Sequence, residues 1–329
     1  MASLGIPEIS PEFEAKLSDG LALVETRLRE QIVGKYPLVI ETSRHLVDAG
    51  GKRLRPLLTL IASHFGDSKA KGIIEAAVVC ELTHLGTLYH DDVMDEAPLR
   101  RGVESANNRW NNTVAILTGD YLFAKTSQLL ADLGPEAVRL QALTFERLVI
   151  GQITETQGSS EGKTQLEHYL NVVADKTASL ISASARYGAM ISGADAKIMD
   201  ALTKFGEEIG TVFQLADDII DIASDSKESG KTPGTDLREG VPTLVTLFIL
   251  ESNDPADAEL KKLLSAPITD EAVVAQTILK LRSHSALTKS RELVAGYGIS
   301  AQKHLEILPE GPAKAALVGL SQAVISRTS

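Results

Sequence analysis

The chain has 329 residues, enough for two ordinary domains or for one large helical unit, so length alone does not choose between them. Lys and Arg number 33 against 44 Asp and Glu, a formal net charge of −11, which argues against a chain held to nucleic acid or anionic lipid by bulk charge. Apolar residues make up 43% of the chain but aromatics only 4%, so the core must be built from Leu, Ile, Val and Ala, which suits packed helices better than sandwiches or barrels. The single cysteine, Cys80, can form neither an intrachain disulfide nor a cysteine metal site and points to a reducing compartment. The opening stretch MASLGIPEISPEFEAKL lacks the basic flank and apolar run of a signal peptide, and the most apolar window, Val241 to Leu250, is about half a membrane span. A cytoplasmic protein is expected.

Along the chain, apolar residues recur at three- and four-residue spacing: Leu21, Val24, Leu28; then Ile74, Val78, Leu82, Leu85; then Phe205, Ile209, Val212, Phe213, Ala216, Ile220. Strand-like alternation bounded by hairpin dipeptides such as Asn-Gly or Asp-Gly is not found, nor is a repeat of solenoid period. Breaks are expected at Gly50-Gly51, Pro98, Gly134-Pro135, Gly158 to Gly162, Gly230 to Gly240 and Asn253 to Pro267, none long enough for an interdomain linker. The reading is one all-α domain over residues 1–329, a single large helical bundle of ten or more helices, least regular near 251–270. Two helices, about Ile73 to Asp95 and about Phe205 to Asp225, are apolar on more than one side, as a central helix must be. Each carries aspartates near its C-terminal end, where the helix dipole is already negative, so a positive group must compensate.

The two clusters are His90-Asp91-Asp92-Val93-Met94-Asp95 and Asp217-Asp218-Ile219-Ile220-Asp221, both of the form D-D-x-x-D. Positions i and i+4 share a helix face, so Asp91 with Asp95 and Asp217 with Asp221 form carboxylate pairs that repel unless a cation joins them. Mg²⁺ takes carboxylate oxygens together with substrate phosphates, which makes these four residues the candidate metal ligands. A lone D-x-x-x-D is more often a solvated helix end; the repetition of the fuller pattern carries the metal reading. A calcium loop is excluded because neither cluster has its alternating oxygen ligands and central Gly.

Phosphate beside metal needs cations, and the chain supplies them in compact sets: Gly50-Gly51-Lys52-Arg53-Leu54-Arg55-Pro56, Arg100-Arg101, Lys176-Thr177 and Gly230-Lys231. The paired glycines are expected to let backbone approach a ligand closely. A P-loop is absent. Two phosphorylated substrates fit this inventory.

With these motifs in view, the sequence resembles the trans-type prenyl diphosphate synthases, all-helical enzymes that elongate allylic diphosphates with isopentenyl diphosphate. GGKRLRP at 50–56, HDDVMDEAPLRRG at 90–102, GD at 119–120, DKTASL at 175–180, FQLADDIID at 213–221 and GKTPGTDLREG at 230–240 carry the likeness. The resemblance implies that Asp91, Asp95 and Asp217, supported by Asp221, hold Mg²⁺ against the allylic diphosphate. It gives Arg100, Lys176, Thr177, Gln214 and Lys231 to that substrate, with Lys176, Thr177, Gln214 and Lys231 in catalytic roles. Lys52, Arg55, His84 and Arg101 are implied for isopentenyl diphosphate. It also implies a homodimer, and a long product would call for transient membrane contact on release. Val241 and Val245 depart from the family pattern, which often has Lys and Pro there.

The helix entering Asp91 is expected to wall the tunnel for the growing chain. Thr83, Gly86 and Thr87 are small, so the path reads as open, with Leu122 and Phe123 as candidate floor residues. From Ile73 to Asp91 is about 27 Å at about 1.5 Å per residue, which suggests a product of about C30 to C50, of the kind used for a quinone tail. Three alternatives compete: a shorter-chain synthase, a class I terpene cyclase, and a non-catalytic partner subunit. Low aromatic content opposes the cyclase, and two intact clusters oppose the inactive subunit.

Overall fold

The computed structural model describes residues 4–159, 162–223 and 233–327. The helices begin with α1 (Pro11–Gln31), α2 (Pro37–Asp48), α3 (Leu54–Ser63) and α4 (Ile73–Met94). A short hairpin, β1 (Leu99–Arg100) and β2 (Val103–Glu104), precedes α5 (Ala106–Arg109), α6 (Asn112–Leu133) and α7 (Pro135–Gln157). The next helix, α8 (Gln165–Val172), runs through a π-helical turn, Val173–Ala178, into α9 (Ser179–Ile191), and α10 (Ala196–Ala223) follows. The C-terminal part holds α11 (Thr235–Glu239), α12 (Leu244–Leu250), a 3₁₀ turn (Pro255–Asp257), α13 (Ala258–Leu264), α14 (Glu271–Ser283), α15 (Ser285–His304) and α16 (Pro312–Ser326). The fold is all-α apart from the hairpin.

Local chemistry sets these boundaries. Ser10, Asn111 and Asp270 each accept a hydrogen bond from the first turn of the helix they precede, meeting donors that no carbonyl can reach. At the α6–α7 junction, Gly134 takes φ 101° and Pro135 opens the next helix, a division of labour fixed by their backbone freedoms.

Every residue of α4 from Ala76 to Thr83 is buried, which is what apolarity on more than one side foretold. It packs on α1, α3, α6 and α9, while α10 packs on α9 and α15. Each aspartate cluster therefore rides on a long helix at least half of whose residues are buried.

Three sequence expectations are corrected. The hairpin escaped notice because its turn is Arg101-Gly102 rather than Asn-Gly; both residues have positive φ, 54° and 78°, as a type I′ turn demands. The second central helix begins at Ala196, well before Phe205, because the Asp195 carboxylate caps Lys197 N at 2.8 Å. The segment near 251–270 is partly helical: Asp254 caps Ala256 N at 2.9 Å and starts the turn that leads into α13.

Candidate active site

A cavity of about 530 Å³ opens between the C-terminal end of α4, the hairpin, α7, α8, the π turn and α10. Asp95, Arg100, Lys176, Thr177 and Gln214 line it, so the structure brings five predicted residues to one space. Lys231 and Asp225 lie outside the described residues.

On one wall, Arg100 Nε donates to Asp92 Oδ1 at 2.6 Å. Asp92 is fully buried and its Oδ2 has no partner. Burial, reinforced by the Asp95 charge, pushes the Asp91 carboxyl up to about 6, against the pull of Lys176 and Arg100. The Lys176 ammonium meanwhile pairs with Glu155.

On the facing wall, Thr177 Oγ1 donates to Gln214 Oε1 at 3.3 Å, and Gln214 Nε2 donates to Asp218 Oδ1 at 2.9 Å. The Tyr169 hydroxyl donates to the other oxygen of Asp218. Burial pushes Asp218 up to about 7, and burial next to Asp218, Asp221 and Glu239 pushes Asp236 up to about 8. So many buried acids that resist ionisation form a site that favours a bound cation.

Asp221 is 9% exposed and accepts from Thr235 N at 3.2 Å and Asp236 N at 3.4 Å, capping α11. Its carboxylate is thereby turned toward backbone. Asp217 is engaged by Arg327, whose Nη2 lies 2.7 Å from Oδ1 at the end of α16. Among the described residues no three acidic, His or Cys side chains converge as a ready-made metal site. The donor set is nonetheless hard oxygen, and substrate phosphate is the complement such carboxylates require of Mg²⁺.

Lys52, Arg55, His84 and Arg101 do not line this cavity; apart from Lys52, they gather around the buried Glu81. Arg101 Nη2 is 3.5 Å from Glu81, and Arg101 Nη1 donates to Leu46 O at 3.0 Å. Arg53 Nη1 binds the same carboxylate at 2.6 Å. Arg55 Nε is buried with no hydrogen-bond partner. Burial, followed by the charges of Arg55 and Arg101, drives the pKa of His84 well below the ordinary histidine value, so it is neutral here. Lys52 stands apart, its ammonium 5.4 Å from the centre of the Phe213 ring, which Arg327 also faces at 5.5 Å.

What approaches Gly51, at φ 148°, is the Arg101 guanidinium: a β-carbon there would stand 2.9 Å from its Cζ. Gly51 thus makes room for that guanidinium, whereas a β-carbon on Gly50 would meet nothing within 4 Å.

A second opening of about 350 Å³ begins at His90 and Asp91 and runs between α4, α6 and α7, walled by Thr87, Phe123, Phe145, Leu148, Val149 and Ile153. Of the residues assigned to the tunnel, Phe123 and Thr87 line this opening. Thr83 does not: it is fully buried, donating to Val79 O and accepting from Gln141 Nε2. Leu122 is likewise buried in the core. Nor is the path open beside Gly86, where a β-carbon would come within 2.8 Å of the Phe123 ring. That ring packs on His90 at 5.5 Å and Phe145 at 4.8 Å. Sequence inspection of α4 alone could not see a side chain supplied by α6.

Residues 36–281 match the family model for polyprenyl synthetase. The chain belongs to the polyprenyl synthetase family. It is 46% identical over 316 residues to the nonaprenyl diphosphate synthase of Mycobacterium tuberculosis, covering 96% of this chain and 94% of that one. The crystal structure of geranylgeranyl pyrophosphate synthase from Corynebacterium glutamicum, complexed with calcium and isoprenyl diphosphate, superposes with TM-score 0.88 at 42% identity, covering 98% and 99% of the two chains. A decaprenyl diphosphate synthase from Rhodobacter capsulatus gives TM-score 0.87 at 32% identity over 96% and 98%. The protein is a prenyltransferase, and divalent-metal dependence goes with the family. No helix among the described residues is long and apolar enough to cross a membrane.

Tyr169 and Asp236 line the cavity, while Glu81, Phe213 and Arg327 contact predicted residues; none of the five stood out in the sequence as a site residue. Glu81 had a signal, lying one turn before His84 on the same helix face. Arg327 had none, because it is 110 residues from its partner Asp217.

Proposed function

We propose that the chain joins an allylic diphosphate to isopentenyl diphosphate, with Mg²⁺ as cofactor, and repeats the step to an all-trans polyprenyl diphosphate of about C30 to C50. The observation that carries this reading is the apolar opening that starts at Asp91. A cavity lined by Asp95, Arg100, Lys176 and Gln214, with a separate apolar groove starting at Asp91, suits a substrate with a diphosphate head and a hydrocarbon tail. Asp91 and Asp95, with Asp217 once Arg327 is displaced, would hold the metal. Mg²⁺ would neutralise the leaving diphosphate as its C–O bond breaks.

The protein groups act around that event. Lys176, Thr177, Gln214 and Arg100 bind and orient the allylic diphosphate. Arg55 and Arg101, with Lys52 and the neutral His84, receive the second diphosphate, whose C–O bond stays intact. Its double bond then attacks the allylic carbon, and a proton leaves the adduct. Water must stay out, because it would capture the allylic cation, and the apolar groove walls serve that end. Tyr169 is the one aromatic among the described lining residues of the main cavity, which also favours chain growth over cyclisation.

Purified protein given Mg²⁺, isopentenyl diphosphate and farnesyl diphosphate is expected to release pyrophosphate and accumulate products longer than C20. No elongation of any allylic primer would sink the reading, and consumption of the primer alone would indicate a cyclase. Gly86→Tyr should shorten the product by one or more isoprene units, since the new ring must enter the groove beside Phe123; unchanged product length removes this wall from the tunnel.

A second copy of the chain is the partner we propose. Leu117 on α6, with Val138, Leu143, Ile150 and Ile153 on α7, are exposed apolar side chains on adjacent helices, a larger patch than isolated surface leucines make. Light scattering should give twice the 35.2 kDa chain mass; a monomer at micromolar concentration rejects the dimer.

A further inference from the structure

The turn that carries Lys176 and Thr177 is π-helical, Val173–Ala178, inside an otherwise α-helical run from Gln165 to Ile191. A π turn is rare, appears mostly as a single turn inside an α-helix, and is frequent at functional sites. Its extra residue rotates the remainder of the helix by about 100° relative to a continuous α-helix, and so decides which side chains face the cavity.

Two neighbours grip this turn. From α7, Gly151 lies so close that a β-carbon would stand 2.6 Å from Lys176 N; from α10, Gly210 would bring one to 2.7 Å from Ala178 Cα. One turn before Gly151, Arg147 Nε donates to Asp175 Oδ1 at 2.9 Å and Nη2 to Ala174 O at 3.2 Å. The same guanidinium binds Glu207 of α10 through Nη1 at 2.5 Å and Nη2 at 3.1 Å. One α7 face thus presents Arg147, Gly151 and Glu155 at four-residue spacing to Asp175 and Lys176, the last through the Glu155–Lys176 ion pair.

We infer that Arg147 is a positioning residue for the allylic-diphosphate subsite, fixing the π turn so that Lys176 and Thr177 point into the cavity. The inference rests on the function proposed above. Arg147 does not line the cavity, so it acts through Asp175 and Ala174 rather than on substrate. A simple exposed ion pair would contribute little and would leave substrate affinity untouched. A guanidinium shared between the turn's carboxylate, its carbonyl and a second helix fixes direction as well as distance.

The test compares full-length wild type, Arg147→Ala, Arg147→Lys, Asp175→Asn and Glu207→Gln. Steady-state kinetics are read together with calorimetric binding of an unreactive allylic thiolodiphosphate. Arg147→Ala is expected to raise KM for the allylic substrate and weaken analogue binding about tenfold or more, with KM for isopentenyl diphosphate within about twofold. Arg147→Lys should restore part of the loss, and Asp175→Asn and Glu207→Gln should shift the same constant about threefold. Unchanged analogue binding in Arg147→Ala, or an equal rise in both KM values, overturns the inference. If Arg147→Ala does not fold, unchanged allylic constants in both Asp175→Asn and Glu207→Gln overturn it equally. Wild type that binds the analogue but does not elongate refutes the functional reading, while the binding comparison still decides on Arg147.

Discussion

Replacing Asp91 with alanine is expected to lower kcat/KM by about a thousandfold or more without loss of helical content. On the function proposed above, Asp91 holds the metal, so its removal would withdraw charge stabilisation from the leaving diphosphate, and about 4 kcal/mol of lost stabilisation is roughly a thousandfold in rate. The fold should not suffer. The carboxyl sits at about 6 in the folded chain, above the unfolded value of about 3.9, so the folded state binds the extra proton between those values. Metal-free wild type therefore loses stability as pH rises from about 4 through 6, and Asp91→Ala is spared that loss. At pH 8 the metal-free variant should melt at the same temperature as wild type or higher. Metal and proton compete for the same oxygen, so activity of the wild type should fall on the acid side and raising Mg²⁺ should move that limb to lower pH. Parallel circular dichroism and kinetics check both halves; a lower melting temperature with a proportional rate loss would mean that Asp91 is structural.

The second large effect is on stability. Gly188 in α9 faces the backbone carbonyl of Thr59 in α3, and a β-carbon there would overlap that oxygen and crowd Ala62. Backbone cannot move aside as a side chain can, so Gly188→Ala should cost about 3 kcal/mol, roughly 4 °C in Tm for a chain of 329 residues. Gly296, inside α15, has nothing within 4 Å of a built β-carbon. Gly296→Ala should instead be neutral or stabilising by up to about 1 kcal/mol, because alanine is the better helix former. Thermal melts of both variants test the packing argument, which fails if they shift Tm alike.

Both predictions depend on α4 and its neighbours, and they differ in how much of their basis was legible in the sequence. Asp91 announced itself, because the D-D-x-x-D spacing is a property of one helix and of nothing else. Gly188 did not: its requirement arises where two helices far apart in sequence come within one atom of each other. The Phe123 ring beside Gly86 is a similar case. Reading α4 alone gave small residues and an open path, and only the packing of α6 on α4 showed a ring in that space. Thr83 was assigned to the tunnel by helical spacing, which fixes a direction around the helix axis but not which neighbour lies there.

The order of residues was enough to establish the all-α class, the two buried central helices and the carboxylate pairs. Each rests on residue spacing of four or less, the range over which a helix relates one side chain to the next. It was enough for the family as well, through motifs whose order along the chain is itself information. Folding in three dimensions was needed to show that Arg53 and Arg101 share the carboxylate of Glu81 and that Asp221 caps α11. The same holds for Arg327 reaching Asp217 and for the grip of Arg147 on the π turn. These contacts join residues from 14 to 110 positions apart, and at such separations it is the path of the backbone, set by the packing of the whole core, that chooses the partner.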